Sequence, residues 1–243
     1  MSSETRGQGT PAEVTVDVQE RGANGQTSTR RLFMQLQAYG GCADSKPLVA
    51  ALEASRLDAV LYADAHDPRG IGILTMSEDP AVFVTTQREV LGAEPFAGLS
   101  RRSDLAMLGR AYSSGFEPDL EDWLIHRPRR TALNPAWPWA IWYPLRRVGA
   151  FARLSLEEQG AILREHGTLG RAYGDGDHAH DIRLACHGLD PSDNDFVIGL
   201  VGRELYLLSH LVQTMRRTAQ TSQYIQSLGP FFVGRVLWQS PSR

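Results

Sequence analysis

The sequence predicts an α+β protein made of two ferredoxin-like units of the dimeric α+β barrel type, with antiparallel sheets and helices on the outside. Three observations lead to this fold class. The 243 residues are 42% apolar and 22% charged, a composition typical of a globular protein with a sizeable core. Segments with the two-residue period of strands alternate with segments of helical period. The same order of elements then recurs in the second half of the chain.

The charge and the cysteines exclude several classes of partner. A formal net charge of −3 provides no basic excess with which to hold a nucleic-acid backbone. Cys42 and Cys186 are far apart and neither belongs to a CxxC pair, so neither a disulfide framework nor a thiolate zinc site is expected. No apolar run resembles a secretory signal or a membrane span. We therefore expect a cytoplasmic protein without a membrane span or a nucleic-acid partner.

The N-terminal unit is assigned to residues 28–131 and is predicted to follow a disordered tail. Residues 1–27 are rich in Gly, Ser, Thr, Glu and Gln and have few apolar side chains to offset the entropy of ordering. A strand at 31–39 alternates so that one face is apolar, with Leu32, Met34, Leu36 and Ala38. The later elements of this unit are a helix over 46–57, strands at 59–65 and 70–76, a helix that opens at Asp79-Pro80, and a strand near 105–112.

The C-terminal unit is assigned to residues 132–243 and begins with a connector rich in Pro and Trp, at 132–147. Ser155 and Glu158 form a capping-box pattern at the start of a helix. Five side chains follow at helical spacing and predict its inward stripe, namely Leu156, Ile162, Leu163, His166 and Leu169. The unit is completed by strands at 180–187 and 195–202, a helix over 203–217 and a strand at 231–238.

His166 lies on the predicted apolar stripe of its helix, and by itself it does not identify a site. A lone histidine on an apolar face is more often a core residue satisfied by one hydrogen bond than a metal ligand. Both interpretations stay open until the motifs around it are considered.

Four segments, taken in order, resemble the chlorite dismutase and coproheme decarboxylase family. They are WYPLRR (142–147), LSLEEQGAILREHGTLGRAY (154–173), GLDPSDNDFVIGL (188–200) and GPFFVGR (229–235). The resemblance implies two ferredoxin-like units per subunit and a homo-oligomer, commonly a pentamer. It also implies a haem cofactor, either haem b or iron coproporphyrin, with the histidine of the helical His-Gly pair, His166, as the proximal iron ligand.

The resemblance also implies roles for other residues of the pocket. Tyr143 matches the tyrosine of the family's Tyr-Pro pair, which in the coproheme decarboxylases forms the radical that attacks a propionate. Arg146 and Arg147 match basic positions where a guanidinium can pair with a propionate carboxylate, although a solvated turn is an equally good interpretation. The family's distal residue, Gln or Arg, falls on Asp181 or on Ala179 depending on the direction of counting, so the chain departs from the family there.

The remaining candidates lie in the segment GDGDHAHDIRLACHG. If it is extended, His178 and His180 share one face, whereas Asp181 and Arg183 share the other. In a haem site, Arg183 would hold an anionic oxidant and Asp181 would move a proton between oxygens. In a non-haem site, His178 and His180 would bind copper, zinc or iron with a third ligand such as the helical histidine. A third interpretation is a solvated turn that leads into an ordinary strand.

Three functions follow as alternatives. The leading hypothesis is a haem-dependent oxidoreductase that uses peroxide or a related oxidant on a small-molecule or porphyrin substrate, as the coproheme decarboxylases do. Its candidate catalytic residues are Tyr143, Asp181, Arg183 and His180. The second is a non-haem metalloenzyme on the same fold, with the ligands His166, His178 and His180. The third is a chlorite dismutase-like enzyme or a haem binder without catalysis, and chlorite breakdown ranks lower because the aligned distal position is not arginine.

Overall fold

The computed structural model describes residues 15–241 of the chain. Its main strands are β1 (Phe33–Gly40), β2 (Asp58–Asp64), β3 (Ile71–Ser77), β4 (Ser100–Ala111), β5 (Trp139–Arg147), β6 (His180–Ala185), β7 (Phe196–Gly202), β8 (Ile225–Leu228) and β9 (Phe232–Gln239). Its α-helices are α1 (Lys46–Ser55), α2 (Thr86–Gly92), α3 (Arg127–Ala132), α4 (Gly149–Ala152), α5 (Leu156–Asp175), α6 (Leu205–Met215) and α7 (Ala219–Tyr224). Short helical turns at Pro80–Val84 and Asp122–His126 precede α2 and α3.

Eight of these strands close into an antiparallel barrel. Around the ring the order is β5, β9, β2, β3, β1, β4, β6, β7 and again β5, and β8 lies beside β9 along the same edge of β5. Within each half the first strand pairs with the third and fourth strands, which is the order of a ferredoxin-like unit. The two units join through β2 with β9 and β4 with β6. The predicted fold class is therefore confirmed.

The inner faces of all the barrel strands share one hydrophobic core. Trp142 and Phe232 are fully buried in it. Two glycines leave room for these rings, since a Cβ on Gly199 would lie 2.5 Å from the Trp142 ring and one on Gly72 would lie 2.3 Å from the Phe232 ring. Trp142 and Gly199 are direct partners across β5 and β7, so the glycine is required by this strand register.

The outer faces of the barrel are covered by helices. In the N-terminal unit, α1 and α2 bury side chains such as Leu48 and Leu91 against the sheet. In the C-terminal unit, α5 and α6 cover the outer face of β5, β6 and β7, where Tyr143 and Leu208 are buried. Within residues 15–241, no helix has both the length and the apolar character needed to cross a bilayer.

The structure corrects the predicted extent of the disordered tail. Residues 1–14 lie outside the described residues, but Glu20 and Arg21 pair with Thr27 and Ser28 in a small hairpin. The Glu20 carboxylate accepts a 2.8 Å hydrogen bond from Arg110 of β4. Disorder is therefore the wrong prediction for residues 20–27, because an ion pair with a distant strand does not show in local composition.

Two predictions about the C-terminal unit are also wrong. The connector assigned to 132–147 ends early, since its second half is strand β5 in the middle of the sheet. The inward stripe of α5 contains Ile162, His166 and Leu169, whereas Leu156 and Leu163 are 86% and 39% exposed. Residues 156 and 163 are separated by two turns and lie about 60–120° around the helix from residues 162 and 166. The apolar pattern thus contained two stripes, and tertiary packing buries only one.

We expect Gly199→Ala to lower the free energy of unfolding by about 1–3 kcal/mol, because the added methyl group would overlap the Trp142 ring. Gly167→Ala is the matched control, since a Cβ at this position in α5 meets no heavy atom within 4 Å. Alanine there should stabilise the helix by up to about 1 kcal/mol. Urea unfolding measures both changes, and a Gly199→Ala variant as stable as the wild type would contradict the close approach.

Candidate functional site

Polar side chains gather on the outer face of the C-terminal sheet, beneath the helix layer. Main-chain pairing places Tyr143 of β5, Ile198 of β7 and Arg183 of β6 in one row across three strands. Asp181 lies on the same face of β6, and Arg147 lies on the same face of β5, because side chains alternate along a strand. The register therefore brings together four predicted site residues from two separate parts of the sequence.

His166 approaches this surface from α5. Its side chain is half-buried, and its pKa falls to about 4, first because of burial and then because of the nearby positive charges of Arg183 and Arg147. The imidazole is therefore neutral at neutral pH, which is the form that binds metal ions. The negative charges of Asp181 and Glu165 oppose this lowering of the pKa but do not outweigh it.

Thr218 determines which nitrogen of His166 is available. The Thr218 hydroxyl lies 3.2 Å from His166 Nδ1 and makes its shortest donor contact, 2.8 Å, to the Met215 carbonyl oxygen. A hydroxyl has one proton to donate, so it accepts from Nδ1, and Nε2 keeps its lone pair. Glu165 also links α5 to the start of α7, since its carboxylate accepts a 3.0 Å hydrogen bond from the Ala219 N–H.

Tyr143 is a buried phenol at the edge of this site. It is 8% exposed, and its ring centre lies 4.8 Å from that of Phe231. Burial raises the pKa of Tyr143 well above its ordinary value, and the negative charge of Asp181 raises it further. The phenol therefore keeps its proton across the physiological pH range.

Asp181 is the centre of a charged cluster. Its carboxylate accepts a 2.7 Å hydrogen bond from Arg127 and lies 2.9 Å from Arg183 Nε. Both guanidinium groups lie over the Trp123 ring, at 4.4 and 4.8 Å from its centre. Burial alone would raise the pKa of Asp181, but the charges of Arg183 and Arg127 outweigh it and lower the pKa. Asp181 is therefore ionised, and it can accept a proton but not donate one.

Arg127 and Trp123 come from a helical segment that the sequence patterns did not assign. Strands β4 and β6 pair through only two residues of each strand, so the start of β6 has no strand beside it on that side. The segment 122–132 packs there, and Trp123 Nε1 donates a 3.0 Å hydrogen bond to the Tyr112 carbonyl. Leu124, Ile125 and Pro128 of this segment are buried and lie at helical spacing. This spacing of apolar residues is the feature of the sequence that could have predicted the helix.

Arg146 and Arg147 point to opposite sides of β5, although the sequence treated them as a pair. The Arg147 guanidinium lies between two phenylalanine rings, at 4.6 and 4.7 Å from their centres. Burial lowers the pKa of Arg147, and no ion pair in the described part of the chain includes it. Arg146 instead donates to the Ser192 carbonyl and lies 3.5 Å from Asp193. Arg147 thus belongs to the site, whereas Arg146 stabilises a turn.

His178 and His180 do not share a face, contrary to the prediction. Strand β6 begins only at His180, because Asp177 has a left-handed backbone with φ 53°. The His180 ring stacks on Trp137 with centres 3.5 Å apart, and its Nε2 lies 2.9 Å from Asp177 Oδ1. The His178 ring packs edge-on against Tyr173. His180 is therefore on the face opposite Asp181, away from the other catalytic candidates.

The structure does not assemble the expected cluster of three histidines. Across residues 15–241, no group of three His, Cys, Asp or Glu side chains is placed to hold a metal ion. The one hydrogen-bond contact of His166 in the described residues is with Thr218, which is not part of such a group. An isolated imidazole in such surroundings suits a metal that brings its other ligands with it.

Comparisons with known proteins agree with this architecture. The family model described as chlorite dismutase matches residues 95–237, which is more than half of the chain. The chain belongs to the chlorite dismutase family. A comparison with curated protein sequences found no significant match.

Solved structures share the fold of this family member at low sequence identity. A haem-binding protein from Thermus thermophilus is 19% identical with a TM-score of 0.67, over 86% of this chain and 92% of that chain. Chlorite dismutase from Candidatus Nitrospira defluvii in complex with imidazole is 14% identical with a TM-score of 0.63, over 88% and 93% of the two chains. The candidate chlorite dismutase TA0507 is 13% identical with a TM-score of 0.69, over 86% and 96%. At these identities the likeness establishes the fold alone.

We expect Asp181→Asn to lower the free energy of unfolding by about 1 kcal/mol at pH 7, because Arg127 and Arg183 lose their anion at a site where the carboxylate is 38% exposed. The folded state lowers the pKa of Asp181, so its contribution is present above the ordinary carboxyl pKa and is lost as pH falls through the folded pKa. The difference between variant and wild type should therefore shrink near pH 3.

Denaturant unfolding at both pH values measures this difference. Asp193→Asn is the matched control, because Asp193 is 92% exposed and should change stability by less than about 0.5 kcal/mol. An Asp181→Asn variant that matches this control at pH 7 would show that the cluster contributes no stability.

Proposed function

We propose that this member of the chlorite dismutase family is a haem-dependent oxidoreductase that uses peroxide or a related oxidant, with coproheme decarboxylase-like activity. The observation that carries the proposal is the neutral, half-buried imidazole of His166, whose Nδ1 is held by Thr218 so that Nε2 keeps its lone pair. The cofactor would be haem b or iron coproporphyrin.

The residues of the site fit an iron porphyrin. His166 would hold the iron through Nε2, and Thr218 would fix the orientation of its ring through Nδ1. Ile198 and the ring of Tyr143 offer apolar contacts to a flat macrocycle. Arg147 is a half-buried cation without an ion-pair partner among the described residues, so it would hold a propionate. When bound, the haem iron would supply the redox chemistry with the oxidant.

The proposed reaction balances with one peroxide for each propionate lost. The propionate becomes a vinyl group, carbon dioxide and a proton, and it releases two electrons. Peroxide takes up these two electrons, this proton and one further proton from the solvent, and becomes two molecules of water. The role of Tyr143 would be to relay an electron from the propionate, giving up and regaining its phenolic proton. Its raised pKa supports this role, because the phenol starts in the protonated form.

The charged cluster favours this reaction over chlorite breakdown. Arg183 would stabilise an anionic oxidant only when its guanidinium is available, but it is engaged by Asp181 and by the Trp123 ring. The same engagement supports a second candidate function, a haem or porphyrin binder without catalysis. An ionised Asp181 can accept a proton from peroxide. For this reason we prefer the catalytic function to the binder without catalysis.

The remaining parts of the proposal concern assembly and location. We place the protein in the cytoplasm as a homo-oligomer, with five subunits as the expected number. Leu156 and Leu163 on the outer side of α5 are exposed apolar side chains that an oligomer could cover. Light scattering coupled to size exclusion would test the subunit number.

Haem binding is tested by adding haem b or iron coproporphyrin to the cofactor-free protein and recording absorption spectra. We expect a Soret band that is lost in His166→Ala and is restored by added imidazole, because only the imidazole that would hold the iron is missing. His178→Ala/His180→Ala is the matched control and should keep the band. No uptake of either porphyrin, together with stoichiometric copper, zinc or iron that disappears in the double variant, would favour the non-haem alternative instead.

Turnover distinguishes a catalyst from a carrier. The loaded wild-type protein should convert iron coproporphyrin to vinyl products when peroxide is supplied, and mass spectrometry would detect the loss of carbon dioxide. We expect Tyr143→Phe to bind the porphyrin but to lose at least about a hundredfold in rate, since the phenol is removed and the ring is kept. A Tyr143→Phe variant with the wild-type rate would eliminate the relay, and a wild-type protein that binds without turnover would favour the carrier.

A further inference from the structure

A tyrosine in the helix layer has the surroundings of a redox-active phenol. Tyr173 is the most deeply buried residue of α5, with 9% of its surface exposed. Its ring belongs to the same apolar cluster as Tyr143 of the candidate site. Residues 166 and 173 are seven positions apart, so they lie on one side of α5 and about 10 Å apart along its axis. Tyr173 therefore lies close to the candidate site without being one of its proposed catalytic residues.

A histidine of the neighbouring helix α6 holds the phenolic hydroxyl. The Tyr173 hydroxyl lies 2.5 Å from His210 Nδ1 and 3.1 Å from Thr214 Oγ1. Thr214 donates its own proton to the His210 carbonyl oxygen at 2.8 Å. Because a phenol donates and a neutral imidazole nitrogen accepts, the shorter contact is a hydrogen bond from Tyr173 to Nδ1. The phenolic proton thus has a base at direct hydrogen-bond distance.

The two partners of this hydrogen bond differ in their exposure to water. His210 is exposed, whereas the Tyr173 ring belongs to the cluster that contains Leu208 and Leu211. A positive charge on the imidazole is therefore hydrated, whereas a positive charge on the buried phenol would be costly. A buried phenol can give up an electron only if its proton leaves with it, and His210 is placed to take this proton.

We propose that Tyr173 is a redox-active tyrosine that supplies single electrons to the candidate site, with His210 as its proton acceptor. One electron passes from the phenol to a porphyrin that peroxide has oxidised. The O–H bond breaks, and the proton forms an N–H bond at His210 Nδ1. Tyr173 becomes a neutral phenoxyl radical, His210 becomes an imidazolium, and the oxidant is reduced by one electron.

A thiolate in the solvent restores the pair. It gives one electron to the phenoxyl radical and becomes a thiyl radical, and the proton returns from His210 to the phenolic oxygen. The pair thereby removes oxidising equivalents from the site when no propionate is present to be oxidised. The source of the oxidant rests on the proposed function, whereas the pair itself can be tested in the cofactor-free protein.

The test uses tris(bipyridine)ruthenium(III), a one-electron oxidant that a light flash generates in a solution of the full-length, cofactor-free protein. We expect electron paramagnetic resonance of rapidly frozen samples to show a phenoxyl radical coupled to an exchangeable proton, a coupling that deuterated water removes. Tyr173→Phe should lose this signal. His210→Gln should form it at least about a hundredfold more slowly, because the amide keeps the polar side chain but not the base.

The controls separate the pair from the other tyrosines. Tyr206 is 68% exposed on the same helix as His210, and Tyr206→Phe should keep the signal of the coupled radical. Added imidazole should restore the signal in His210→Ala, because position 210 is open to the solvent. Circular dichroism of each variant checks that the fold is retained.

Two results in the cofactor-free protein would overturn the proposal. An undiminished signal in folded Tyr173→Phe would place the radical on another residue. A wild-type rate of radical formation in His210→Gln would show that His210 only joins the two helices.

The link to the candidate site is tested in the haem-loaded protein. Peroxide without substrate should produce the same coupled radical, and Tyr173→Phe should lose it while keeping the Soret band. A loaded wild-type protein that reacts with peroxide without forming this radical would overturn the link. Failure to take up haem would instead contradict the proposed function, and the flash measurement would still decide whether the pair is redox-active.

Discussion

Closure of the strand ring is the constraint on which the rest of this molecule depends. Strand β5 pairs with β7 on one edge and with β8 and β9 on the other, so the C-terminal sheet has no open edge there. The ring also joins the two units through β2 with β9 and β4 with β6. The inner faces of the two units then form one core. The strand ring can close around it only because Gly199 and Gly72 leave room for the rings of Trp142 and Phe232.

The strand ring encloses the inner core, and the helices cover the outer faces of the strands. The candidate site lies in this outer layer, between the C-terminal sheet and its helices. Each residue of β6 points either into the core or toward the helix layer, so Ile182 fills the barrel while Asp181 and Arg183 lie outside it. Helix α5 packs on this layer through Leu169 and Tyr173, and His166 lies half-buried on the same helix. A polar surface is tolerated there because its charges are paired or stacked on aromatic rings rather than left alone in the core.

The charged cluster lies at a position where this chain departs from the family resemblance seen in its sequence. Asp181 is one of the two positions on which the family's distal glutamine or arginine falls, and its carboxylate is paired with Arg127 from the helical segment beside β6. Trp123 supports both arginines through its ring. The cluster changes the proposed distal chemistry from a single cation to an ion-paired carboxylate, which is a proton acceptor.

The sequence by itself determined the order of the elements, the α+β class, the inner face of β1 and the capping box of α5. These features depend on local period, on capping chemistry or on contiguous motifs, all of which can be read from neighbouring residues. Tertiary structure alone decided that Leu156 and Leu163 stay exposed, that His180 leaves the site, and that Arg147 separates from Arg146. It also supplied Thr218 and Arg127, whose partners are more than fifty positions away. Strand register and helix rotation set those contacts, and both follow from how the whole ring closes rather than from any short segment.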